Sequence, residues 1–367
     1  MPEHQPFISV IIPHWNGIDI LSECLDSLKA STYPFFEIIV SDNASSDGSQ
    51  SWLKSHHPDI SLLENDANYG YAGGCNLGAR IAKGSILVFL NNDTIQDPDW
   101  LNHLALSLIT DESAVAVQPK ILNYYQRDLF DYAGGSGGFM DVLGFPFARG
   151  RIFLDQEKDL GQYDDSRQIF WASGTAICVW KDAYEKAGGF EESFFAHMEE
   201  IDLCWRMKLH GKRIMVNPNS VVFHLGGGTL NYLSPRKVYL SWKFHLMGKR
   251  VYVEPKSVVY HKNDVSLPMQ SHWKYYLNHR NSLLMVLGNY SFPLSIYFFT
   301  MRFVLEWVAF FYAFTKFDFN HMTAIIRSLI WILFHPHIII KKRKNIRRLR
   351  KIKDKHFLNQ LHKGSIV

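Results

Sequence analysis

The sequence contains little cysteine and pairs none of it. Its four cysteines, Cys24, Cys75, Cys178 and Cys204, lie far apart and form no CxxC pair. Zinc ribbons and disulfide frameworks need regularly spaced cysteines, so both are excluded, and a reducing compartment is indicated. We also expect no signal peptide, because the first ten residues include an acid and no apolar core segment.

A phosphate-binding P-loop is absent too, since the chain contains no GxxxxGK[ST]. Residues 68–78 (NYGYAGGCNLG) are glycine-rich, but their spacing differs from GxGxxG and they follow the second predicted strand instead of the first. A dinucleotide-dependent dehydrogenase is therefore disfavoured. A nucleotidyltransferase would need a basic loop after the first strand, and residues 13–17 (PHWNG) include no Lys or Arg.

The positive charge is confined to one segment. Ten basic residues and one aspartate lie between Lys341 and Lys355, a local charge of +9 against +4 for the whole chain. The remainder is therefore acidic, at −5. The basic character belongs to this segment and not to the fold.

Three short apolar runs predict the core of the fold, at residues 7–12, 36–40 and 86–90. Runs of this kind are typical of strands buried on both faces of a parallel sheet. Residues 21–30 between the first two runs have helical spacing, and 76–83 before the third also read as a helix. The order of strand, helix and strand predicts an open α/β sheet. Further helices are predicted at 181–187 and 198–210.

A polar cluster follows each of these strands. The clusters are PHWNG at 13–17, SDNASSDGS at 41–49 and LNNDT at 90–94. Such residues also favour simple turns, so each cluster alone has two interpretations. Because ligands of open α/β sheets bind at the carboxyl ends of the strands, three clusters at one edge favour a ligand site. Asp93, with Asn91 two residues earlier, suits Mg²⁺ or Mn²⁺ beside a diphosphate.

Two further segments offer chemistry. Residues 198–206 (MEEIDLCWR) place three acids in one helical turn, either as solvated residues favoured by the helix dipole or as an enclosed carboxylate that accepts a proton. His224 ends an apolar run before three glycines, so it is either structural or a ligand. Residues 205–241 recur at 242–278 as a tandem duplication, which repeats His224 as His261.

Together these motifs resemble family 2 glycosyltransferases with the GT-A fold, and most of all their bacterial rhamnosyltransferase-like branch. The resemblance rests on SVIIPHWNG, VSDNASSDGS, NYGYAGGCNLG, FLNNDT, the segment from SGTAICVW to EEIDLCWR, and SVVFHLGGG. It covers roughly residues 7–290. It implies an inverting enzyme that moves a sugar, for which rhamnose is one candidate, from a nucleotide diphosphate to a lipid-linked or polysaccharide acceptor in cell-envelope synthesis.

The resemblance also implies roles for residues at matching positions. Pro13 and Asn16 would line the nucleotide pocket and Asp42 would read the base. The ribose and diphosphate would be approached by Asn68, Gly70 and Asn76.

The family's DxD motif corresponds here to Asn91, Asn92 and Asp93. Asp93 would be the retained metal carboxylate, with Asn91 and His224 as its companions and Asn92 among the donor-binding residues. The Asn in place of the first acid lowers the charge of this site. We expect His224, and not its copy His261, to act, with the second copy as an insertion on the acceptor side.

The sugar and acceptor would be bordered by Trp171, Ser173 and Gly174. Glu200 matches the general base of the family, and Glu199 and Asp202 flank it in the predicted catalytic group.

We divide the chain into a GT-A domain at 1–290 and a membrane-attachment segment at 291–367. Residues 293–315 are long and apolar enough to cross a bilayer, but Arg302 and Glu306 favour a helix lying in the interface. The basic run after it predicts binding to anionic lipid rather than nucleic acid. We therefore expect attachment to the cytoplasmic face of the membrane. The alternative function is a catalytically inactive sugar-nucleotide-binding or scaffold protein.

Overall fold

The computed structural model describes residues 5–152, 155–225 and 271–363. The strands in these ranges are β1 Ile8–His14, β2 Phe36–Asp42, β3 Ser61–Glu64, β4 Ile86–Leu90, β5 Thr94–Gln96, β6 Ala114–Asn123, β7 Gly138–Met140, β8 Pro146–Ala148, β9 Arg151–Ile152, β10 Asp155–Gln156, β11 Arg167–Ile169, β12 Ala176–Trp180 and β13 Arg213–His224. The helices are α1 Ile18–Lys29, α2 Ser49–His56, α3 Gly70–Ile81, α4 Trp100–Thr110, α5 Lys181–Ala187, α6 Glu199–Leu209, α7 His272–Asn289, α8 Phe292–Thr315, α9 Phe319–Phe334, α10 Pro336–Leu349 and α11 Asp354–Leu358.

Nine of these strands form one open sheet in the order β11-β13-β6-β12-β4-β1-β2-β3, with β5 paired to β13. β1 runs parallel to β2 and β4, β2 is parallel to β3, and β13 is parallel to β6. β12 is antiparallel to both of its neighbours. The predicted open, mostly parallel sheet is therefore confirmed, with β12 reversed at its centre and with β11 and β5 antiparallel to β13.

The three apolar runs form β1, β2 and β4, the middle of the sheet. Burial on both faces explains their continuous hydrophobicity, because every residue of β4 is buried and β1 is nearly so. β1 and β2 each extend beyond the predicted run, to His14 and Asp42. The first polar residues after each run are thus still held in the sheet.

The glycine-rich segment is helical, so the helix predicted over 76–83 begins earlier, at Gly70. Helix α3 begins at Gly70 and includes all the glycines that follow. A Cβ on Gly78 would lie 2.5 Å from Cγ2 of Ile11, and one on Gly74 would lie 3.0 Å from Nδ2 of Asn43. These glycines serve close packing of the helix on β1, and not a dinucleotide loop.

The region from 120 to 170 contains two small antiparallel ribbons, β7–β8 and β9–β10. The glycine- and aromatic-rich sequence of this region is typical of loops or of a small subdomain, and the two ribbons favour the subdomain. The predicted helices at 181–187 and 198–210 are confirmed as α5 and α6.

The C-terminal helices α7 to α11 form a layer against α6 and the ribbons. The second copy of the duplication, with His261, lies outside the described residues except for 271–278, which enter α7. Among the described residues, one helix, α8, is long and apolar enough to cross a membrane, and α9 with α10 forms a pair bent by 70°.

Candidate functional site

The loops after β1 and β2 are joined at the carboxyl edge of the sheet. Asn16, at φ 58°, accepts a hydrogen bond from the amide of Ser46 through Oδ1 at 2.8 Å. Its own amide donates to Oγ of Ser45 at 2.9 Å. Pro13 lies opposite Ser41 in the β1–β2 register. The structure therefore brings Pro13 and Asn16 to the edge where we predicted them.

Asp42 is fully buried at the end of β2 and is occupied within its own loop. Its two oxygens accept hydrogen bonds from the amide and hydroxyl of Ser45 and from Nε2 of Gln50, the last at 2.6 Å. Asp42 therefore shapes the loop of residues 43–48. A base imide would have to replace the amide of Gln50 to reach this carboxylate.

His14 connects two of the three polar clusters. Its Nδ1 lies 2.9 Å from Nδ2 of Asn92, and its Nε2 lies 2.9 Å from Oγ of Ser49. Burial lowers the pKa of His14, despite the opposing charges of Asp42 and Asp47. A neutral ring accepts from Asn92 and donates to Ser49, so Asn92 is fixed as part of the inner wall of the site.

Asn68 and Gly70 form the start of α3. The side chain of Asn68 accepts from the amide of Gly70 at 2.9 Å, and Nδ2 of Asn43 donates to the Gly70 carbonyl at 3.0 Å. Gly70 has φ +69°, and a Cβ there would lie 2.3 Å from the carbonyl oxygen of Phe195. Only glycine fits at this position, which joins the second loop to the segment before α6.

Asn76 corrects one expectation. Its Nδ2 donates to the Phe190 carbonyl at 2.9 Å and to Glu192 at 3.0 Å. Its Oδ1 accepts from the Phe190 amide at 2.9 Å and from the hydroxyl of Tyr184. All four hydrogen-bonding positions of the amide are filled by protein, so none is left for a ribose or diphosphate.

The predicted metal residues do meet. Nε2 of His224 lies 3.2 Å from Oδ1 of Asp93 and 3.2 Å from Nδ2 of Asn91. The register explains this meeting, because β5 pairs with the end of β13 and sets His224 opposite Thr94. Burial alone would raise the pKa of Asp93, but the neighbouring imidazole holds it below its ordinary value.

Asp131 completes this cluster and was missed by the sequence analysis. Its Oδ1 lies 2.9 Å from Nδ1 of His224, and the residue is fully buried. Burial alone would lower the pKa of His224, yet the carboxylates of Asp93 and Asp131 raise it well above its usual range. Asp131 therefore orients the ring so that Nε2 faces Asp93.

Asp93, Asn91 and His224 offer oxygen and nitrogen donors of the kinds that bind divalent cations. Oδ1 of Asp93 is buried and accepts no hydrogen bond from the part of the chain that the structure describes, although Nε2 of His224 lies 3.2 Å from it. Neighbouring ligands of an octahedral ion lie about 3 Å apart when each bond is about 2.1 Å. A histidine whose other nitrogen bonds a carboxylate is the usual arrangement for a metal ligand. Across residues 5–152, 155–225 and 271–363, however, no group of three or more His, Cys, Asp or Glu side chains has metal-site geometry.

Glu199 and Glu200 lie at the start of α6, as predicted. Burial raises the pKa of Glu200 to about 7. Burial and the charge of Glu200 raise the pKa of Glu199 well above its ordinary value. Each has one buried oxygen with no hydrogen-bond partner among the described residues. Glu200 is therefore the member of this pair that ionises near neutral pH.

Asp202 does not belong to the catalytic group, contrary to our expectation. It is fully buried, and two of its partners lie in the C-terminal layer. Its oxygens contact Nε of Arg206 at 2.8 Å, Nζ of Lys342 at 2.6 Å and Nδ2 of Asn289 at 2.8 Å. Burial opposes ionisation, but Lys342 and Arg206 hold its pKa below the usual value. Asp202 is a structural ion-pair residue.

Of the three residues predicted to border the sugar, only Gly174 lies against the site. Trp171 is buried in the core and donates from Nε1 to the Phe139 carbonyl at 2.7 Å, and the buried Ser173 donates to the Ala133 carbonyl at 2.8 Å. Both are structural, which corrects that prediction.

Gly174 connects the two halves of the site. A Cβ on it would lie 3.6 Å from Cβ of Glu200. The adjacent Thr175 carbonyl accepts from the amide of Asn91 at 2.9 Å. The reversed strand β12 therefore brings the start of α6 beside the residues after β4.

The residues that sequence analysis missed had weak local signals. Asp131 follows β6, a strand that was not predicted, and lies in a glycine-rich stretch that suggested loops or a small subdomain. His14 was inside a motif that we had noted, but nothing local distinguished it from a turn residue.

The open, mostly parallel sheet flanked by helices is a fold of GT-A type. Residues 9–160 match the family model described as Glycosyl transferase family 2. This part of the chain is similar to family 2 glycosyltransferases.

The chain is 31% identical over 228 residues to O-antigen biosynthesis protein RfbC of Myxococcus xanthus, covering 60% of this chain and only 17% of RfbC. It is 26% identical over 222 residues to N-acetylglucosaminyl-diphospho-decaprenol L-rhamnosyltransferase of Mycobacterium tuberculosis, covering 56% of this chain and 71% of that protein. Among solved structures, GalNAc-T7 with UDP, GalNAc and Mn²⁺ is similar in fold, with a TM-score of 0.50 and 17% identity over 60% of this chain and 44% of that one.

Proposed function

We propose that this chain is an inverting glycosyltransferase that uses a nucleotide-diphosphate sugar and a hydroxyl acceptor. The observation that carries the proposal is Glu200, a buried carboxylate with a raised pKa that lies beside Gly174 at the edge holding Asp93. A pKa near the working pH suits a general base. The similarity to family 2 glycosyltransferases supports the same reaction class.

In the proposed reaction, Glu200 takes the proton of the acceptor hydroxyl. The acceptor oxygen then forms a bond to the anomeric carbon of the donor. The bond from that carbon to the diphosphate oxygen breaks, and the nucleoside diphosphate leaves with the electron pair. Attack from the side opposite the leaving group inverts the configuration.

A divalent cation held by Asp93 and His224 would neutralise charge on the departing diphosphate. The contribution of the chain is to orient these two side chains: Asp131 fixes the imidazole, and the backbone pairing of β5 with β13 fixes Asp93. The relative of similar fold crystallised with UDP and Mn²⁺ supports this class of donor and ion.

We further propose a lipid-linked or polysaccharide acceptor in envelope glycan synthesis. The names of RfbC and of the mycobacterial rhamnosyltransferase support this class of acceptor, and rhamnose is one candidate sugar.

Attachment to a membrane is the third element of the proposal. The outer face of α8 exposes large apolar side chains, namely Phe292, Ile296, Tyr297, Met301, Phe303, Val304, Trp307, Val308, Phe311, Tyr312 and Phe314. The charged pair of the helix faces inward instead. Arg302 donates to Glu306 at 3.1 Å and to the Leu143 carbonyl at 3.2 Å, and its guanidinium lies 3.8 Å from the ring centre of Phe145.

These contacts tie the middle of α8 to the glycosyltransferase domain. A helix so held presents only its apolar face outward, which favours lying in the interface over crossing the bilayer. The adjoining helix α10 exposes Lys341, Lys344, Arg347 and Arg348, which suit an anionic surface. The free cysteines and the nucleotide-sugar donor favour the cytoplasmic face.

The test is donor hydrolysis and transfer by the full chain with UDP-, GDP- and dTDP-sugars in the presence of Mn²⁺. We expect turnover with at least one donor, and its loss in Glu200→Gln and Asp93→Asn. Glu185→Gln, an exposed acid on α5, is the matched control and should retain activity. Donor binding without turnover in the parent chain would instead establish the inactive binding protein.

A further inference from the structure

The segment before α6 has an unusually strained backbone. Phe195 has φ 65° and ψ −62°, and the Ala196 amide donates to the Phe194 carbonyl at 2.8 Å. This is a γ-turn of the rare, strained hand. His197 and Met198 follow with φ 68° and 72°, so three non-glycine residues out of four have positive φ. Strain of this kind persists only where surrounding structure enforces it.

The enforcing contacts come from Asn281 on helix α7. Its Nδ2 lies 3.1 Å from the carbonyl oxygen of Phe194, 3.0 Å from that of Ala196 and 2.8 Å from that of His197. Asn281 is fully buried. One side-chain amide therefore holds three of the carbonyl groups that the turn directs away from regular secondary structure.

Arg280 fixes the orientation of this amide. Its Nε donates to Oδ1 of Asn281 at 2.9 Å, so Nδ2 must face the carbonyl groups. Its Nη2 donates to the Ser193 carbonyl at 2.7 Å and the Phe194 carbonyl at 3.1 Å. The guanidinium also lies 5.0 Å from the ring centre of Trp331 on α9. Arg280 and Asn281 together form a clamp on residues 193–198, and this clamp thus belongs to the C-terminal layer.

The clamped segment contacts both halves of the candidate site. The carbonyl of Phe195 accepts from the Ala72 amide at 3.2 Å and occupies the space that a side chain at Gly70 would need. Glu199 and Glu200 come directly after the segment. A change in its conformation would therefore move the start of α6 relative to the start of α3.

We propose that Asn281, oriented by Arg280, is a positioning residue that holds residues 193–198 in this conformation and thereby places Glu199 and Glu200. The inference rests on the proposed function and goes beyond it. It makes a helix outside the matched family region, next to the membrane-facing helices, part of the catalytic unit.

The first measurement does not depend on activity. Asn281→Asp preserves the shape of the side chain but removes the donors and sets a charge against three carbonyl oxygens. We expect backbone amides 194–200 of the full chain to exchange with deuterium about tenfold faster or more, with α1 to α4 unchanged. Ser328→Ala is the matched control: it removes a buried hydrogen bond from α9 to the Tyr276 carbonyl on α7 without touching the segment. It should leave exchange at 194–200 unchanged.

The second measurement is kinetic and uses the donor that the parent chain turns over. We expect Asn281→Asp to lower kcat about a hundredfold, as misplacement of a reacting group by about 1 Å does, with KM for the donor within about threefold. The acid limb of the pH profile should move below its parent position, because a loosened Glu200 becomes hydrated. Ser328→Ala should leave both kcat and the limb unchanged.

A rescue variant guards against a folding defect. Met198 lies in the left-handed region at φ 72° and ψ −5°, where glycine is unstrained. Glycine at position 198 relieves part of the backbone strain that Asn281 otherwise opposes. We therefore expect slower exchange of amides 194–200 in the double variant Asn281→Ala, Met198→Gly than in Asn281→Ala alone. Parent-like exchange and kcat in Asn281→Asp would overturn the proposal. A parent chain without turnover would refute the proposed function, and the exchange data would still decide whether Asn281 holds the segment.

Discussion

Nζ of Lys342 lies 2.6 Å from Oδ1 of Asp202, although 140 positions separate these residues in the chain. Lys342 belongs to the basic helix α10 and is 3% exposed, whereas its neighbour Lys341 is exposed. One lysine of the polybasic run therefore faces the protein and holds the helix that begins with the candidate base.

The first prediction concerns the stability supplied by this pair. Lys342→Met leaves Asp202 buried with only Arg206 and Asn289 as partners, and loss of one member of a buried ion pair costs about 3 kcal/mol. Urea unfolding should show a decrease of that size in the free energy of unfolding. Lys341→Met removes the same charge from the surface and should change it by less than about 0.5 kcal/mol. Equal stability of the two variants would contradict the structure.

The second prediction concerns pH. A base acts only when deprotonated, and burial raises the pKa of Glu200 to about 7. We therefore expect kcat/KM to rise with pH through about 7 and to fall tenfold per unit below it. Rates measured from pH 5 to 9 give the profile, and Glu185→Gln should reproduce it. A flat profile across pH 7 would exclude Glu200 as the base.

The third prediction concerns the metal cluster. Because Asp131 orients His224, Asp131→Asn should weaken Mn²⁺ binding about 10- to 100-fold, as loss of such a partner usually does. Calorimetric titration of Mn²⁺ in the presence of UDP measures this effect. Asp128→Asn, an exposed acid nearby, is the control. Unchanged affinity in Asp131→Asn would show that the ion binds elsewhere.

The choice of ion gives a fourth prediction. A set of donors with one imidazole and one carboxylate favours Mn²⁺ over Mg²⁺, which prefers oxygen ligands. Initial rates with each ion should therefore be higher with Mn²⁺ at equal concentration. His224→Ala should reduce this preference together with the rate. A greater rate with Mg²⁺ in the parent would argue against imidazole ligation.

The fifth prediction concerns the membrane. Each exposed basic residue near an anionic surface contributes about 1 kcal/mol, so removing four should weaken vesicle binding by about three orders of magnitude. The residues to replace by Gln are Lys341, Lys344, Arg347 and Arg348. The control carries the same change in charge at four exposed basic residues elsewhere, Lys54, Arg80, Lys83 and Lys158.

Sedimentation with phosphatidylserine-containing vesicles measures the difference, and pure phosphatidylcholine vesicles show the part due to apolar contact alone. If both variants lose vesicle binding equally, the net charge of the protein drives binding and the exposed basic residues of α10 have no special part in it.

The open sheet could be predicted because its central strands are buried on both faces and therefore form continuous apolar runs. The reversed strand β12 could not, since nothing in five apolar residues indicates direction. This strand brings Gly174 and the start of α6 to the carboxyl edge of the sheet, beside the residues after β4. The polar clusters of the site could also be predicted, because each of them follows one of these apolar runs. The roles of single residues within the clusters could not be predicted.

The glycine-rich segment shows the same difference between what could be predicted from the sequence and what the structure adds. From the sequence, the glycines of residues 68–78 showed only that their spacing differs from GxGxxG, because glycine indicates a need for space without identifying the neighbour that takes it up. The structure shows that β1 and Phe195 fill it, and that the segment is a helix.

The sequence alone thus determined the sheet, the polar motifs that resemble family 2 glycosyltransferases, the acids at the start of α6 and the separate basic segment, because these depend on local pattern. Only the tertiary structure decided which side chains are available to contact a ligand. Asn76, Trp171 and Asp202 have suitable chemistry, but distant partners fill their hydrogen bonds. Asp131 and Asn281 have unremarkable surroundings in the chain and act only through contacts that folding creates. A hydrogen bond depends on the distance between two groups in the folded chain, and the sequence around either residue does not give that distance.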